Sequence, residues 1–437
     1  MLAVLCALCC NAAKKIRTEF GDSTKTHVFT LGAELMTRGE WRHGAMQNED
    51  EKYALFVLER TRLFFNYKQP HLEIQITPQH QGVWGTTGGG SFSLREAWAH
   101  VYSRIGLFAK LGRQTLKYDD ERVMGLNDWS MTGFYHDALK VGYEGHGHRV
   151  HIVAAYNQNN ANMFGGTYYT GGSQAYKNMQ TLWYHYDFKK WFGASALFIN
   201  TGMQSSIDGE KKNYYQQLYG AYLKFHYPHN DGTIQRRWLE IEGSYYHQLG
   251  RSELNVPIDA WMASVEINGK VNDYVRLNSG YFHLSGDEDY SVPPIGFLGM
   301  KQHTHSNSFN PIFASHHQFY GPMEFFYLSS FYGGYSPGLQ DFHAGASFTW
   351  RDKVTLDTKY HYLATSVSVP NQKKTLGHEI EFTARYRILK YLSVAAGYYY
   401  MKGTDTMKTV KRTNDKNSSH WAYLMIVVNP TLLKVHF

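Results

Sequence analysis

The chain has 437 residues, with 44 Lys and Arg against 37 Asp and Glu, a formal net charge of +7, and a mean hydropathy of -0.46. Aromatic residues make up 16%, and 34 tyrosines and 40 glycines stand out. This mixture suits strands with one apolar and one wet face, and it excludes a helical membrane protein: the longest apolar run beyond the start, WAYLMIV, falls far short of the roughly 18 residues a spanning helix needs.

In chain order, the first segment is MLAVLCALCCNAAKK. It reads as the apolar region of a secretory leader, residues 1–13, with cleavage after Ala12 or Ala13 and a mature start near Lys14. All three cysteines, Cys6, Cys9 and Cys10, lie in it, so the mature chain is expected to carry no disulfide or thiolate site.

From residue 24 to 437 the expectation is one all-β domain, a single antiparallel transmembrane β-barrel of about 18 strands. In VFTLGAELMTR, Phe29, Leu31, Ala33 and Leu35 take one parity, and Thr30, Gly32, Glu34, Met36 and Arg38 take the other. Such period-2 segregation belongs to a strand. The same pattern recurs in ALFVLERTRLFFNY, HLEIQITPQ, RVHIVAAYN, WLEIEGSYYHQ, YVRLNSGYFHL, HEIEFTARYR and WAYLMIVV. Connections alternate between long polar segments such as GEWRHGAMQNEDEK and tight ones such as YKQPH, SRIG, RDKV and ILKY, as in a barrel with long extracellular loops and short periplasmic turns. Tyr and Trp near strand ends and the terminal Phe437 suit an aromatic girdle.

Charge falls on the polar parity. Arg60 and Arg62 share a face opposite Leu55, Val57 and Leu63, and Arg38 stands with Glu34. Lys140, Arg276 and Arg385 are offset from apolar neighbours in the same way. Charges on the lipid face are costly, so these are expected to line the pore. After Leu111, Gly112 is expected to release the chain from the wall into a charged knot. There Arg113 and Arg122 would face the lumen, with Asp120, Glu121 and Asp128 as pairing acids. An alternative is that these arginine–carboxylate pairs are structural.

GRQTLKYDDERVMGLNDWSMTGFYHDALKVGY, Gly112–Tyr143, resembles the most recognisable block of the alginate export family of outer-membrane channels. So do HLSGDEDY, FNPIFASHHQFYGPMEFF and LGHEIEFTARYRILKYLSVAAGYYY, in the expected order. The resemblance implies an 18-stranded barrel with a basic interior for a polyanionic polysaccharide. The chain departs from the family at Asp119-Asp120, at His136-Asp137-Ala138, and at Lys140 where an arginine is expected.

The longest connection, 285–338, is expected to fold into the mouth as a gate or plug. Its histidines, His303, His305, His316 and His317, lack a metal-ligand framework, and Gly286–Asp289 lacks the spacing of a calcium loop, so no metal or cofactor is expected. The basic segment Lys402–Lys416 reads as an outer loop that attracts polyanions or lipopolysaccharide, or as a solvated tip.

The function expected is an outer-membrane channel of a Gram-negative cell for an anionic polysaccharide or other anionic solute. It would be monomeric, with lipid, lipopolysaccharide and the solute as partners and no nucleic acid. The alternatives are an adhesin or structural barrel, and a barrel hydrolase using Asp119, Asp120 and His136. The second has no GxSxG elbow to support it, so no catalytic residue is assigned.

Overall fold

The computed structural model describes residues 19–21, 25–43, 52–86, 88–158, 161, 163, 175–188, 191–207, 209–227, 238–288, 304–326, 336–411 and 418–437. The expected leader, the three cysteines and His303 lie outside them.

The alternating runs form the strands β1 (Glu19–Gly21), β2 (Val28–His43), β3 (Ala54–Gln69), β4 (Leu72–Val83), β5 (Ser91–Tyr102), β6 (Leu107–Gln114) and β7 (His136–Gly145). Next come β8 (His148–Tyr156), β9 (Asn178–Phe188), β10 (Phe192–Gln204), β11 (Asn213–Tyr227), β12 (Leu239–Arg251), β13 (Pro257–Lys270) and β14 (Val275–Leu284). The last are β15 (Leu339–Trp350), β16 (Val354–Ala364), β17 (Thr375–Leu389), β18 (Leu392–Gly403), β19 (Ser418–Val428) and β20 (Thr431–His436).

Each strand from β2 to β19 pairs antiparallel with the next, and the sheet closes on itself. The upper part of β2 pairs with β19, from Leu35↔Val428 to His43↔His420, and its lower part pairs with β20, from Gly32↔Thr431 to Val28↔His436. β19 and β20 are thus one strand broken at Asn429 and Pro430, which makes an 18-strand barrel. β1 is an extra strand, parallel to β20. Closure leaves no edge, which is what lets β structure span lipid.

Long and short connections alternate as expected, with two exceptions. The connection 252–256 is short although it lies at the long-loop end, and 228–238 is long although it lies at the other. Leu55, Ile76, Leu111, Ile152, Leu277 and Leu424 are among the exposed apolar side chains of the outer face. Near the short-turn end Phe188, Trp191, Tyr227, Trp238, Tyr274 and Trp350 are exposed as well. An outward apolar band flanked by aromatics is the surface of a bilayer-spanning barrel.

The buried core therefore lies inside the barrel rather than around it. The connection 115–135 and the described residues of 285–338 turn inward, and Leu116, Val123, Met124, Phe309, Phe313 and Tyr320 pack there against inward-facing wall residues. Met124 and Phe313 form a parallel bridge, and Gly125 N donates to Phe313 O at 2.7 Å. Ser315 Oγ donates to Glu121 Oε2 at 2.6 Å and accepts from Asn127 N at 2.9 Å. The described part of the basic outer segment includes a short helix, Asp405–Lys411, that buries Met407 and Val410. Lys411 Nζ donates to Phe325 O, tying this helix to the long loop.

Candidate functional site: a charged constriction between two walls

One wall is built of arginines on β2, β3 and β5. Arg60 is buried and donates to Glu34 at 2.9 Å, to Asp128 O at 2.9 Å and to Ser130 O at 3.2 Å. Arg62 lies 2.9 Å from Asp128 Oδ1 and donates to Gln79 at 2.6 Å. Arg38 bonds Glu40 at 2.8 Å and Trp129 O at 3.0 Å, with its guanidinium 4.0 Å from the Trp129 ring centroid. Arg95 donates to Phe134 O and to Leu126 O. Four arginines thus hold the segment 126–134 by its carbonyl oxygens and by Asp128. A guanidinium with five donors in a fixed fork suits this task.

The loop so held carries its own charges across the lumen. Arg122 is buried, bonded to Asp120 at 2.9 Å and to Glu266 on β13 at 2.7 Å, with Phe319 of the long loop 4.2 Å from its guanidinium. Asp119 accepts from Trp183 Nε1 at 3.1 Å and Tyr246 OH at 3.2 Å on the far wall. Glu121 pairs with Lys117 and accepts from Leu126 N at 3.0 Å. Asp119 and Glu121 both have positive φ, 52° and 68°, a conformation that persists only where contacts on all sides impose it.

Below this bridge lies a cavity of about 760 Å³, bounded by the loop and by β11 to β17. Its lining holds eight carboxylates, among them Glu240, Glu242, Glu266, Asp357 and Glu381, against four Lys or Arg side chains. The lumen is therefore polarised across its width, basic along β2 to β7 and acidic along β11 to β17.

The structure brings Glu34, Arg60, Arg62 and Asp128 together, and Asp120 with Arg122, but it scatters the rest of the expected set. Arg113 is the clear correction. β6 runs on to Gln114, and Arg113 pairs with Ala97 and Asp137, on the face of Leu111 and Leu139. It thus lies on the outer parity, bonded to Asp137 at 2.8 Å, and does not face the lumen. Gly112 does not release the chain; a Cβ there would lie 2.2 Å from Ala97 O, so the glycine serves close strand approach. Lys140 faces inward opposite Lys110, and Arg276 and Arg385 face inward near the short-turn end.

The described histidines of the long loop do not converge. His305 bonds Asn307 at 2.9 Å, His316 bonds Pro311 O at 2.7 Å, and His317 lies flat on Trp129, ring centroids 3.9 Å apart. Burial pushes His317 below its ordinary value, although Glu324 opposes this. Asp287 of the acidic turn is an anchor, accepting from Asn307 N at 2.7 Å and Ser308 N at 3.1 Å. Asp119 and His136 have different partners, the latter bonding Tyr176 OH at 2.8 Å.

Lys117, Lys224 and Lys359 of the cavity lining were not expected, and on the basic wall Arg95 and Lys110 escaped the sequence reading. Strict alternation in SFSLREAWAH puts Arg95 with Ala97 on the outer face. Opposite it, however, Pro78 pairs with Leu94 and Thr77 with Glu96, so Arg95 is an extra residue in a bulge and turns inward. A proline inside ITPQHQ is the signal for such a bulge. Lys110, which shares parity with Phe108 against Leu107, Ala109 and Leu111, was legible by the rule that found Lys140.

No protein-family model matches the chain, and no curated protein matches it. Solved structures do match over nearly the whole length. OccAB1 of Acinetobacter baumannii superposes with a TM-score of 0.63 at 11% identity, covering 93% of this chain and 97% of that one. OccK9 (OpdG) of Pseudomonas aeruginosa gives 0.61 at 12%, covering 92% and 98%, and OccK11 (OpdR) of the same organism gives 0.57 at 12%, covering 94% and 99%. At such identities the likeness is one of fold. These comparisons give no support to the alginate export family in particular, and they agree with the fold drawn above: this chain is an 18-strand antiparallel β-barrel.

Proposed function

We propose that the barrel is a passive outer-membrane channel for small solutes bearing an anionic group. The observation that carries this reading is the pair of inward loops, bridged through Met124 and Phe313, that leave a cavity of about 760 Å³ between the first loop, with its Lys117 and Arg122, and the carboxylates of β12 to β17. That volume is in the range of small-molecule sites, roughly 300–1,000 Å³, and argues for small solutes over a polymer. The four sequence blocks remain the support for an alginate-like polysaccharide.

Anion preference rests on the basic wall. Arg38, Arg60, Arg62 and Arg95 are committed to the loop, so among the described residues Lys110 and Lys140 are better placed to meet a solute. Lys110 Nζ stands 3.6 Å from the Trp98 ring centroid, and neither lysine forms an ion pair with a described residue. The acidic cavity favours a second reading, a solute that also carries a cationic group and crosses with its two ends on opposite walls.

Liposome swelling with purified channel tests this. A small carboxylate and a zwitterionic amino acid should enter faster than an uncharged sugar of equal size, and a long polyuronate should not enter. Equal rates for the sugar would remove the charge argument. An electrically silent barrel would favour the adhesin reading.

A further inference from the structure

β15 and β16 place two histidines side by side. His343 and His361 are register partners with ring centroids 5.3 Å apart, and Asp341 lies two residues from His343 on the same face. All three are buried, at 4%, 3% and 0% exposure. Both Nδ1 atoms turn to the Asp341 carboxylate, His361 at 2.7 Å from Oδ2 and His343 at 3.6 Å.

The far side of each ring is also fixed. His343 Nε2 lies 2.9 Å from Glu266 Oε2, and His361 Nε2 lies 2.6 Å from Glu381 Oε1. The first of these contacts spans β14 only because residue 280 is glycine: a Cβ there would lie 2.5 Å from Glu266 Oε2 and 2.6 Å from His343 Nε2. A carboxylate on the outer nitrogen is how ligating histidines are usually oriented, with the other nitrogen left as the donor to the ion.

An acid–imidazole chain holding only protons would close all of its contacts. This one does not. His343 Nδ1 and Asp341 Oδ1 have no hydrogen-bond partner although both residues are buried. One donor atom from each of the three residues falls within a span of 4.8 Å. Bonds of about 2.0–2.2 Å at a tetrahedral ion put neighbouring ligands roughly 3.3 Å apart, between the two observed gaps. Both histidines border the cavity, which gives an ion a path to the site, while Asp341 lies behind them.

We propose that Asp341, His343 and His361 form a binding site for a divalent transition-metal ion in the channel wall, with Glu266 and Glu381 as positioning residues. Two imidazoles and one carboxylate suit zinc, with nickel and copper as competitors for the same donors. Loading adds two positive charges beside the acidic side of the cavity, so the permeation preference of loaded and stripped barrels differs. The site stands independently of the solute proposed above.

The test uses the full-length barrel, stripped with chelator and titrated with zinc chloride against a chromogenic chelator. One equivalent should bind, and His343→Gln and His361→Gln should each weaken it roughly tenfold or more, with heat-dependent gel mobility confirming that each variant is a folded barrel. Zinc-edge absorption of the wild type provides a reading that needs no variant, and should show two imidazoles with oxygen ligands. Absence of a stoichiometric ion, equal affinity in the double histidine variant, or an absorption spectrum with fewer than two imidazoles would each overturn the site.

Discussion

The two walls of the lumen use charge differently. On β2, β3 and β5 arginine is spent on architecture: Arg38, Arg60, Arg62 and Arg95 bind carbonyl oxygens and Asp128 of the segment they hold. On β11 to β17 the carboxylates border a cavity, and although Glu242 pairs with Lys224 and Glu266 with Arg122 and His343, Asp357 meets only the hydroxyls of Ser347 and Thr383 among the described residues. The difference teaches that a row of like charges read from a sequence does not announce a selectivity filter. What decides is whether each group's hydrogen-bonding capacity is already filled, and for a guanidinium bonded to three oxygens little is left for a solute.

The largest effect should come from breaking the anchor. Arg60→Ala with Arg62→Ala leaves Asp128 and two carbonyl oxygens without their donors, and breaking a buried pair from one side costs about 3–5 kcal/mol. Because one side of this pair, Asp128, is 44% exposed, the low end applies. The loop should leave the wall and single-channel conductance should rise several-fold while the barrel still assembles. Unchanged conductance would mean that Arg38, Arg95 and the Met124–Phe313 bridge suffice to hold the constriction.

A smaller effect is expected on the opposite wall. Glu242→Gln with Asp357→Asn removes two carboxylates that border the cavity without touching the loop anchor. Reversal potential under a salt gradient should move toward anions, and Lys110→Ala with Lys140→Ala should move it toward cations. Both shifts should shrink at high salt, since screening acts over about 8 Å at physiological strength. Shifts in the same direction would end the two-wall description.

Below that lies a pH effect at the seam between the two loops. Burial lowers the His317 pKa, so the unfolded loop binds its proton more readily than the docked one, and docking weakens as pH falls through the ordinary histidine range near 6.5. Conductance should rise modestly in acid, and the rise should be lost in His317→Phe, which keeps a ring on Trp129. An identical acid response in that variant would place the titrating group elsewhere.

The least effect belongs to Arg113→Ala. Its ion pair with Asp137 is on the outer parity and part-exposed, so selectivity should stay as in the wild type and stability should change by about 1 kcal/mol or less. A selectivity change would return this arginine to the lumen.

How much of this was legible depends on what alternation can carry. Period-2 patterns located the wall, because lipid on one side and water on the other impose them residue by residue. They placed Arg60, Arg62 and Glu34 on the inner face for the same reason. The rule failed where parity is broken locally or extended unexpectedly. Pro78 opposite Arg95 inserts a bulge that inverts the reading. At Arg113 a glycine was taken as the end of a strand that in fact continues two residues further. The acidic wall was hidden for another reason: Glu240, Glu242, Glu266, Asp357 and Glu381 belong to four strands, and only the register of the sheet collects them. The buried triad at Asp341, His343 and His361 was invisible for the same cause, since no local spacing joins residues on different strands.

The break at Asn429 and Pro430 bears on how such a wall is completed. A closed sheet must at last match its first strand to its last, two partners separated by almost the entire chain, and such pairings form late and slowly. Proline supplies no donor to that final match, and here only its carbonyl contributes, accepting from Ala33 N at 3.1 Å. The join is consequently two short zippers, Val28–Gly32 on Thr431–His436 and Leu35–His43 on His420–Val428. Each can engage or give way without the other, so a nascent barrel can be fastened at its base while its rim still gapes.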